Sequence, residues 1–153
     1  MSVAFRRDCD EEHLEPRFEL PIPPGPNLVT PRGYALIAAR VAEIEAALAG
    51  SLGEDERKAA LRDARYWRSR LTSAQVAPAP SGDRVAFGTR VTIDRDGDPR
   101  SFEIVGHDES DPASDRISFA SPLARALIGA EVGDVREFPN SDEPITVTAI
   151  AVV

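Results

Sequence analysis

A single cysteine, Cys9, stands in these 153 residues, so no internal disulfide can form, and no second cysteine lies near it to complete a metal site. No apolar run approaches the length of a membrane span. The opening residues, MSVAFRRDCDEEHLEP, have no stretch apolar enough for a secretory leader, so the chain is expected in the cytoplasm, away from membranes. Positive charge is also short, with 18 lysines and arginines against 26 acids and a formal net charge of −8. An acidic chain gains nothing from phosphate neutralisation, the term that dominates nucleic-acid affinity. That argues against free DNA or RNA as the main ligand and favours a protein partner with a basic surface.

The charge is unevenly spread. Residues 1–20 hold three arginines against six acids, residues 30–77 eight bases against six acids, and residues 83–153 seven arginines against fourteen acids. Prolines at 16, 21, 23, 24 and 26 forbid a helix over residues 1–27, which read as an extended or disordered tail. Thr30-Pro31 is a helix start, with threonine as cap and proline at the first helical position. Ile37, Val41, Ile44 and Leu48 then recur at spacings of four, three and four, one apolar stripe. Gly50 and Gly53 break it. A second helix is expected from Glu54 to Gln75, with Ala60, Ala64, Trp67, Leu71 and Ala74 in the same rhythm. So short a loop makes the two helices an antiparallel hairpin over residues 28–76.

APAPSG, residues 77–82, is a linker, and residues 83–153 form a second domain. There VAFGTRVTI alternates as a strand from Val85 to Ile93, a turn centres on Asp96-Gly97, and SFEIV returns from Ser101 to Val105. After the acidic loop GHDESDPASD comes ISFASPLARALIGAEVGDV. Ile117 and Phe119 alternate as a strand, Ser121 and Pro122 cap a short helix, Gly129 closes it, and Gly133-Asp134 turns the chain into a strand at Val135. Leu123, Leu127 and Ile128 are expected in the core. A last strand runs from Ile145. The fold class is α+β, a helical hairpin followed by a small twisted sheet with one short helix.

The ordered set VAFGTRVTI, FEIVGHDESDP and SPLARALIGAEVGDV resembles the C-terminal domain of the Gre family of bacterial transcription elongation factors, and the resemblance covers residues 28–153. It implies a small sheet similar to FK506-binding proteins behind an antiparallel coiled coil, a monomer with no cofactor of its own, and no enzyme activity. It implies as partner RNA polymerase, through the beta-prime subunit and the secondary channel, with nascent RNA reached only indirectly. Acids at the coiled-coil tip, here Glu54 and Asp55, would assist the polymerase's catalytic Mg²⁺ in cutting backtracked RNA. Asp108, Glu109, Asp111, Ser121, Pro122 and Arg125 would form the docking surface.

Each site has a plainer reading. Glu54, Asp55 and Glu56 suit the positive end of a helix whatever they touch. The family's tip motif, an Asp, two residues, then Glu-Asn-Ala-Glu-Tyr, is absent, and each arm is shorter than the family's by about two turns, roughly 10 Å. A shortened hairpin could occupy the channel without cleaving. Arg62, Arg65, Arg68 and Arg70 beside Tyr66 and Trp67 could meet phosphates, or be a solvated face around a core tryptophan. His13 and His107 have no catalytic partner at a recognisable spacing. The fold likeness also admits a prolyl isomerase, although only Phe87, Phe102, Phe119 and Phe138 could line its pocket, and fold alone carries no activity.

Overall fold

Thr30 caps the first helix: its hydroxyl oxygen accepts from the Gly33 N–H at 2.9 Å, and Pro31, with no N–H to satisfy, takes the first helical position. This is a computed structural model that describes residues 19–138 and 141–153. Most of the expected tail, with Cys9 and His13, therefore lies outside the described residues. Helix α1 spans Pro31–Ala49 and α2 spans Glu54–Ser73, about 29 and 30 Å long at 1.5 Å per residue. Neither is long and apolar enough to cross a membrane, nor is any other described helix.

Two compact units divide the chain: residues 19–24 with Ala38–Thr72, and Gly25–Ile37 with Ser73–Val153. In the first, Val41 and Ile44 of α1 and Ala64 of α2 are buried. The antiparallel run of the helices is carried by cross-links along their length. Arg57 donates to the Leu48 carbonyl at 3.0 Å, Arg68 pairs with Glu45 at 3.0 Å, and the Arg40 guanidinium lies 5.3 Å from the Trp67 ring centroid.

In the second unit α2 ends at Ser73, two residues earlier than its composition suggests, because Gln75–Val76 leave as strand β2 and pair in parallel with β1, Leu28–Val29. The Gln75 N–H donates to the Asn27 carbonyl at 2.9 Å and the Ala77 N–H to the Val29 carbonyl at 3.0 Å. The main sheet holds β3 (Thr89–Arg95), β4 (Asp98–Val105), β5 (Arg116–Ser118), β6 (Val135–Arg136) and β7 (Ile145–Val152), in the order β5-β4-β3-β7-β6. β3 and β4 form the expected hairpin, with Asp96 (φ 52°) and Gly97 (φ 85°) both left-handed as a two-residue turn demands. Strand β5 joins β4 in parallel, and a bulge shifts the β3–β7 register between Thr92 and Ile93, where the Thr148 hydroxyl donates to the Thr92 carbonyl at 3.1 Å.

Helix α3, Pro122–Leu127, lays Ala124 and Leu127 on a core of Val85, Val91, Ile93, Ile104, Ala130, Ile145 and Val147. Two expectations are corrected here. The strand expected from Val85 begins only at Thr89. Gly88 turns left-handed at φ 88°, the Thr89 hydroxyl donates to the Ala86 carbonyl at 2.7 Å, and Val85 exchanges backbone bonds with Gly129 and Ala130 instead. Ile128, expected in the core, is 38% exposed, because α3 stops at Leu127 and the chain turns away through Gly129 at φ 93°.

Gly106, after β4, is where β1 crosses most closely: a Cβ built there would collide with the Leu28 carbonyl oxygen. Backbone atoms of a paired strand cannot yield as a side-chain end can. Gly106→Ala is therefore expected to destabilise the chain by about 2 kcal/mol, at the level of core overpacking, and thermal unfolding checks this. An unchanged midpoint would mean that β1 moves aside freely.

Candidate functional site

The hairpin tip is built by a reciprocal cap. The Gly53 carbonyl accepts from the Arg57 N–H at 2.9 Å while Glu56, three residues on, swings its carboxylate back to accept from the Gly53 N–H at 3.0 Å. That engages Glu56 and leaves Glu54 and Asp55 exposed in the first turn, where the helix dipole stabilises their charge. Among the described residues no group of three or more His, Cys, Asp or Glu could hold a metal ion. Two exposed carboxylates at the end of a hairpin can supply one or two hard oxygen ligands to a magnesium ion held elsewhere.

At the other candidate surface, Ser121 and Pro122 take the cap and first helical positions of α3, with the Ser121 hydroxyl accepting from the Ala124 N–H at 3.3 Å. Pro122 and Arg125 are exposed and Ser121 is half-buried. Asp111 is turned to local use: its carboxylate accepts from the Ala113 N–H at 3.2 Å and from the Ser114 hydroxyl at 2.8 Å. Asp108 is half-buried. His107 is exposed and its carbonyl, not its ring, accepts from Ser110. The phenylalanines among the described residues are largely committed to packing. Phe102, Phe119 and Phe138 lie against the core, and Phe87 meets Phe119 edge-on at 5.5 Å, which leaves little aromatic lining for an isomerase pocket.

Glu109 departs from the expected acidic docking face. It is only 4% exposed, and its carboxylate accepts from Arg32 Nε and from the Thr30 hydroxyl, the latter at 2.6 Å. The turn His107–Glu109 carries it under the first turn of α1, where Gly33 has no side chain; a Cβ there would stand 2.7 Å from Glu109 Oε1. Glu109 is thus unavailable to a partner. Beside it Glu103, 5% exposed, accepts from Arg32 at 2.6 Å and from Arg90, with Arg116 at 3.5 Å. Burial pushes the Glu103 carboxyl up, but the Arg32 hydrogen bond and the charges of Arg32, Arg90 and Arg116 outweigh it and hold the group below the usual carboxylate range. The Arg32 guanidinium is raised, first by its bond to Glu103. Local signals do not reveal this cluster: Arg32 and Thr30 lie 71 to 79 positions from Glu103 and Glu109, and although Arg90 and Arg116 each stand opposite Glu103 in register, nothing local marks that carboxylate as buried.

The arginine-rich face of α2 is less basic than its sequence suggests. Arg62 bonds Asp63 at 3.1 Å, Arg65 holds Glu19 through two bonds of 2.7 and 2.6 Å, and Arg68 holds Glu45. Arg70 is buried, so the face meets phosphates only if these acids are displaced. Trp67 is half-buried on the apolar stripe, with Tyr66 edge-on at 5.1 Å, the packing role expected of it.

The chain is similar in sequence to known proteins. The family model described as "Transcription elongation factor, GreA/GreB, C-term" matches residues 79–153. The transcription elongation factor GreA of Maricaulis maris is 41% identical over 100 residues, which cover 58% of this chain and 64% of that protein. The transcription elongation factor GreB of Pseudomonas aeruginosa is 36% identical over 140 residues, 76% of this chain and 83% of that protein. The chain therefore spans under two thirds of the first relative's length and over four fifths of the second's. The crystal structure of GreA factor homolog 1 from Thermus thermophilus aligns over 82% of this chain and 99% of its own at 21% identity, with a TM-score of 0.40.

The charge cluster yields a pH dependence. The folded-state pKa of Glu103 is depressed, so its contribution is present above the unfolded value of about 4.3 and is lost as pH falls through the lower folded value. Thermal unfolding between about pH 3 and pH 7 should show a steep acid limb that Glu103→Gln flattens. At neutral pH that variant should lose about 1–2 kcal/mol, less than for a fully buried pair, because the arginines are 46%, 48% and 31% exposed and can hydrate. An unaltered acid limb in the variant would remove Glu103 as its source.

Proposed function

This chain belongs to the GreA/GreB family, and we propose that it is a transcription elongation factor that binds RNA polymerase and regulates elongation through it, without being an enzyme itself. The docking end is the sheet unit, with Pro122 and Arg125 presented by the capped start of α3. Arg125 can pair with acidic side chains of the polymerase, and Asp108 with basic ones, which guides encounter and register more than it adds affinity. The hairpin then enters the secondary channel beside the beta-prime subunit, tip foremost. The observation that carries the reading is the tip: a closed turn whose Glu56 is engaged in capping while Glu54 and Asp55 remain exposed.

Two versions differ in what those carboxylates do. In one they reach the polymerase's Mg²⁺ and help position a water for cleavage of backtracked RNA, the chemistry of hard oxygen ligands on a solvated divalent ion. In the other the hairpin occupies the channel and competes with cleavage factors. Arms of 19 and 20 residues support the second, since a carboxylate stopping even a few ångströms short cannot bind a metal at its coordination distance of about 2 Å. Both versions make the chain a regulator of elongation.

Cleavage in a backtracked elongation complex, with the chain at saturation, separates them. The expected result is little cleavage and inhibition of an authentic cleavage factor; cleavage that Glu54→Ala with Asp55→Ala abolishes would establish the first version, and neither effect would overturn the polymerase reading. The docking surface has its own check: Arg125→Glu should weaken copurification with core polymerase at least about tenfold while circular dichroism stays unchanged. Undiminished copurification would exclude this face.

A further inference from the structure

Strand β7 leaves part of its outer edge without a partner. β6 covers only its beginning: Val135 and Arg136 pair with Thr146 and Ile145, the Val147 N–H donates to the Asp134 carbonyl, and the Val147 carbonyl accepts from the Gly133 N–H. Farther on, the Val153 N–H donates to the Gly88 carbonyl, on the β3 side, at 3.1 Å. In an antiparallel ladder that direction alternates with each residue, so Ala149 and Ala151 also bond toward β3, whereas Ile150 and Val152 aim both backbone groups outward. No described residue bonds those outward groups. We propose that this edge is a self-association surface: β7 pairs antiparallel with β7 of a second copy about a two-fold axis through Ala151, joining the two sheets into one.

The strand is suited to pairing with itself. Ile145–Val152 carry no charge and no proline, the devices that keep an edge from pairing, and the bulge falls at Thr148, before the open stretch. About an axis at Ala151, Ile150 faces Val152 of the second copy and exchanges both backbone hydrogen bonds with it, one β-branched side chain against another. Ala151 then meets its own copy in the non-hydrogen-bonded position, where Cα atoms approach to about 4.5 Å and a small side chain fits. Ala149 faces Val153. Ala149 and Ala151 are exposed and Val152 and Val153 are 48% and 54% exposed, so the pairing covers apolar surface and opposes no like charges along the strand. β6 does not obstruct it, because the second strand lies along residues 149–153, past the part that β6 covers. Gly82 lies against the Val152 side chain, and no linker residue bonds the outward backbone groups. Residues 149–153 are far fewer than the roughly 20–30 per side of a standard interface, so the dimer is weak and concentration-dependent. The net charge of −8 on each copy opposes it, a repulsion that salt screens. The inference concerns the chain alone and stands whether or not the polymerase reading does.

Sedimentation equilibrium of the full chain reads the association. In about 0.5 M NaCl the average mass should climb from 16.5 kDa toward twice that value between about 20 μM and about 1 mM protein, and climb less in about 0.05 M NaCl. Amide hydrogen exchange at Ile150 and Val152 should slow several-fold over the same rise in concentration. Two variants locate the surface. Val152→Pro removes an outward N–H that the fold does not use, so circular dichroism should stay unchanged while the association constant falls at least about tenfold. Ala151→Glu sets like charges against each other at the axis and should do the same, most strongly at low salt. A mass that stays at 16.5 kDa at the highest concentration would overturn the proposal. So would association left intact in the folded variants, or a mass that rises past the dimer, since the axis uses up the open edge of both copies.

Discussion

Two buried carboxylates, Glu103 and Glu109, and the guanidinium of Arg32 fix the first turn of α1 to the sheet unit, and much of the molecule follows from that fixture. A carboxylate withdrawn from water is costly unless paired and hydrogen-bonded, so the cluster tolerates little rearrangement. Arg32 reaches both acids, Thr30 adds its hydroxyl to Glu109, and Gly33 leaves the room that Glu109 fills. Gly106 repeats the device with backbone, letting Leu28 cross without a side chain between. The beginning of α1 is thereby specified by polar contacts that have one good solution, where an apolar seam alone would permit sliding.

Where local chemistry decides the outcome, the sequence carries a visible signal. Thr30-Pro31 and Ser121-Pro122 are caps in fact as in sequence, and Asp96-Gly97 is the hairpin turn, because in each case a short stretch supplies both the donor or acceptor and the backbone freedom required. What escaped depended on distant residues. Val85 alternates with its neighbours like a strand residue, yet its backbone partners are Gly129 and Ala130. Gln75 continues the helical rhythm but pairs with Leu28. Glu109 reads as one more acid in a polar loop, and only the arrival of α1 above it turns it inward. Of the candidate site, the tip acids and the α3 cap were legible from spacing, whereas the burial of Glu109 and the pairing of the α2 arginines were not.

Charge is distributed to match the proposed division of labour. The sheet unit ties Glu103 and Glu109 to arginine in its interior and presents an exposed Arg125 beside Pro122. The hairpin pairs its arginines with Glu19, Glu45 and Asp63 along its sides and keeps unneutralised acid for its end. A helical hairpin with quiet flanks and a charged tip can discriminate by what its end meets in preference to what its sides meet, since exposed flank pairs contribute little net attraction.

The self-capped turn at Gly53 has a mechanical corollary. Because Glu56 and Arg57 close the loop from inside, through the Gly53 backbone and the Leu48 carbonyl, the tip has already given up much of its conformational freedom before it meets anything. Were the hairpin to enter a narrow passage as proposed, the ordering cost would be small, and its reach would be set by the number of helical turns behind the tip, about 1.5 Å for every residue gained or lost in each arm.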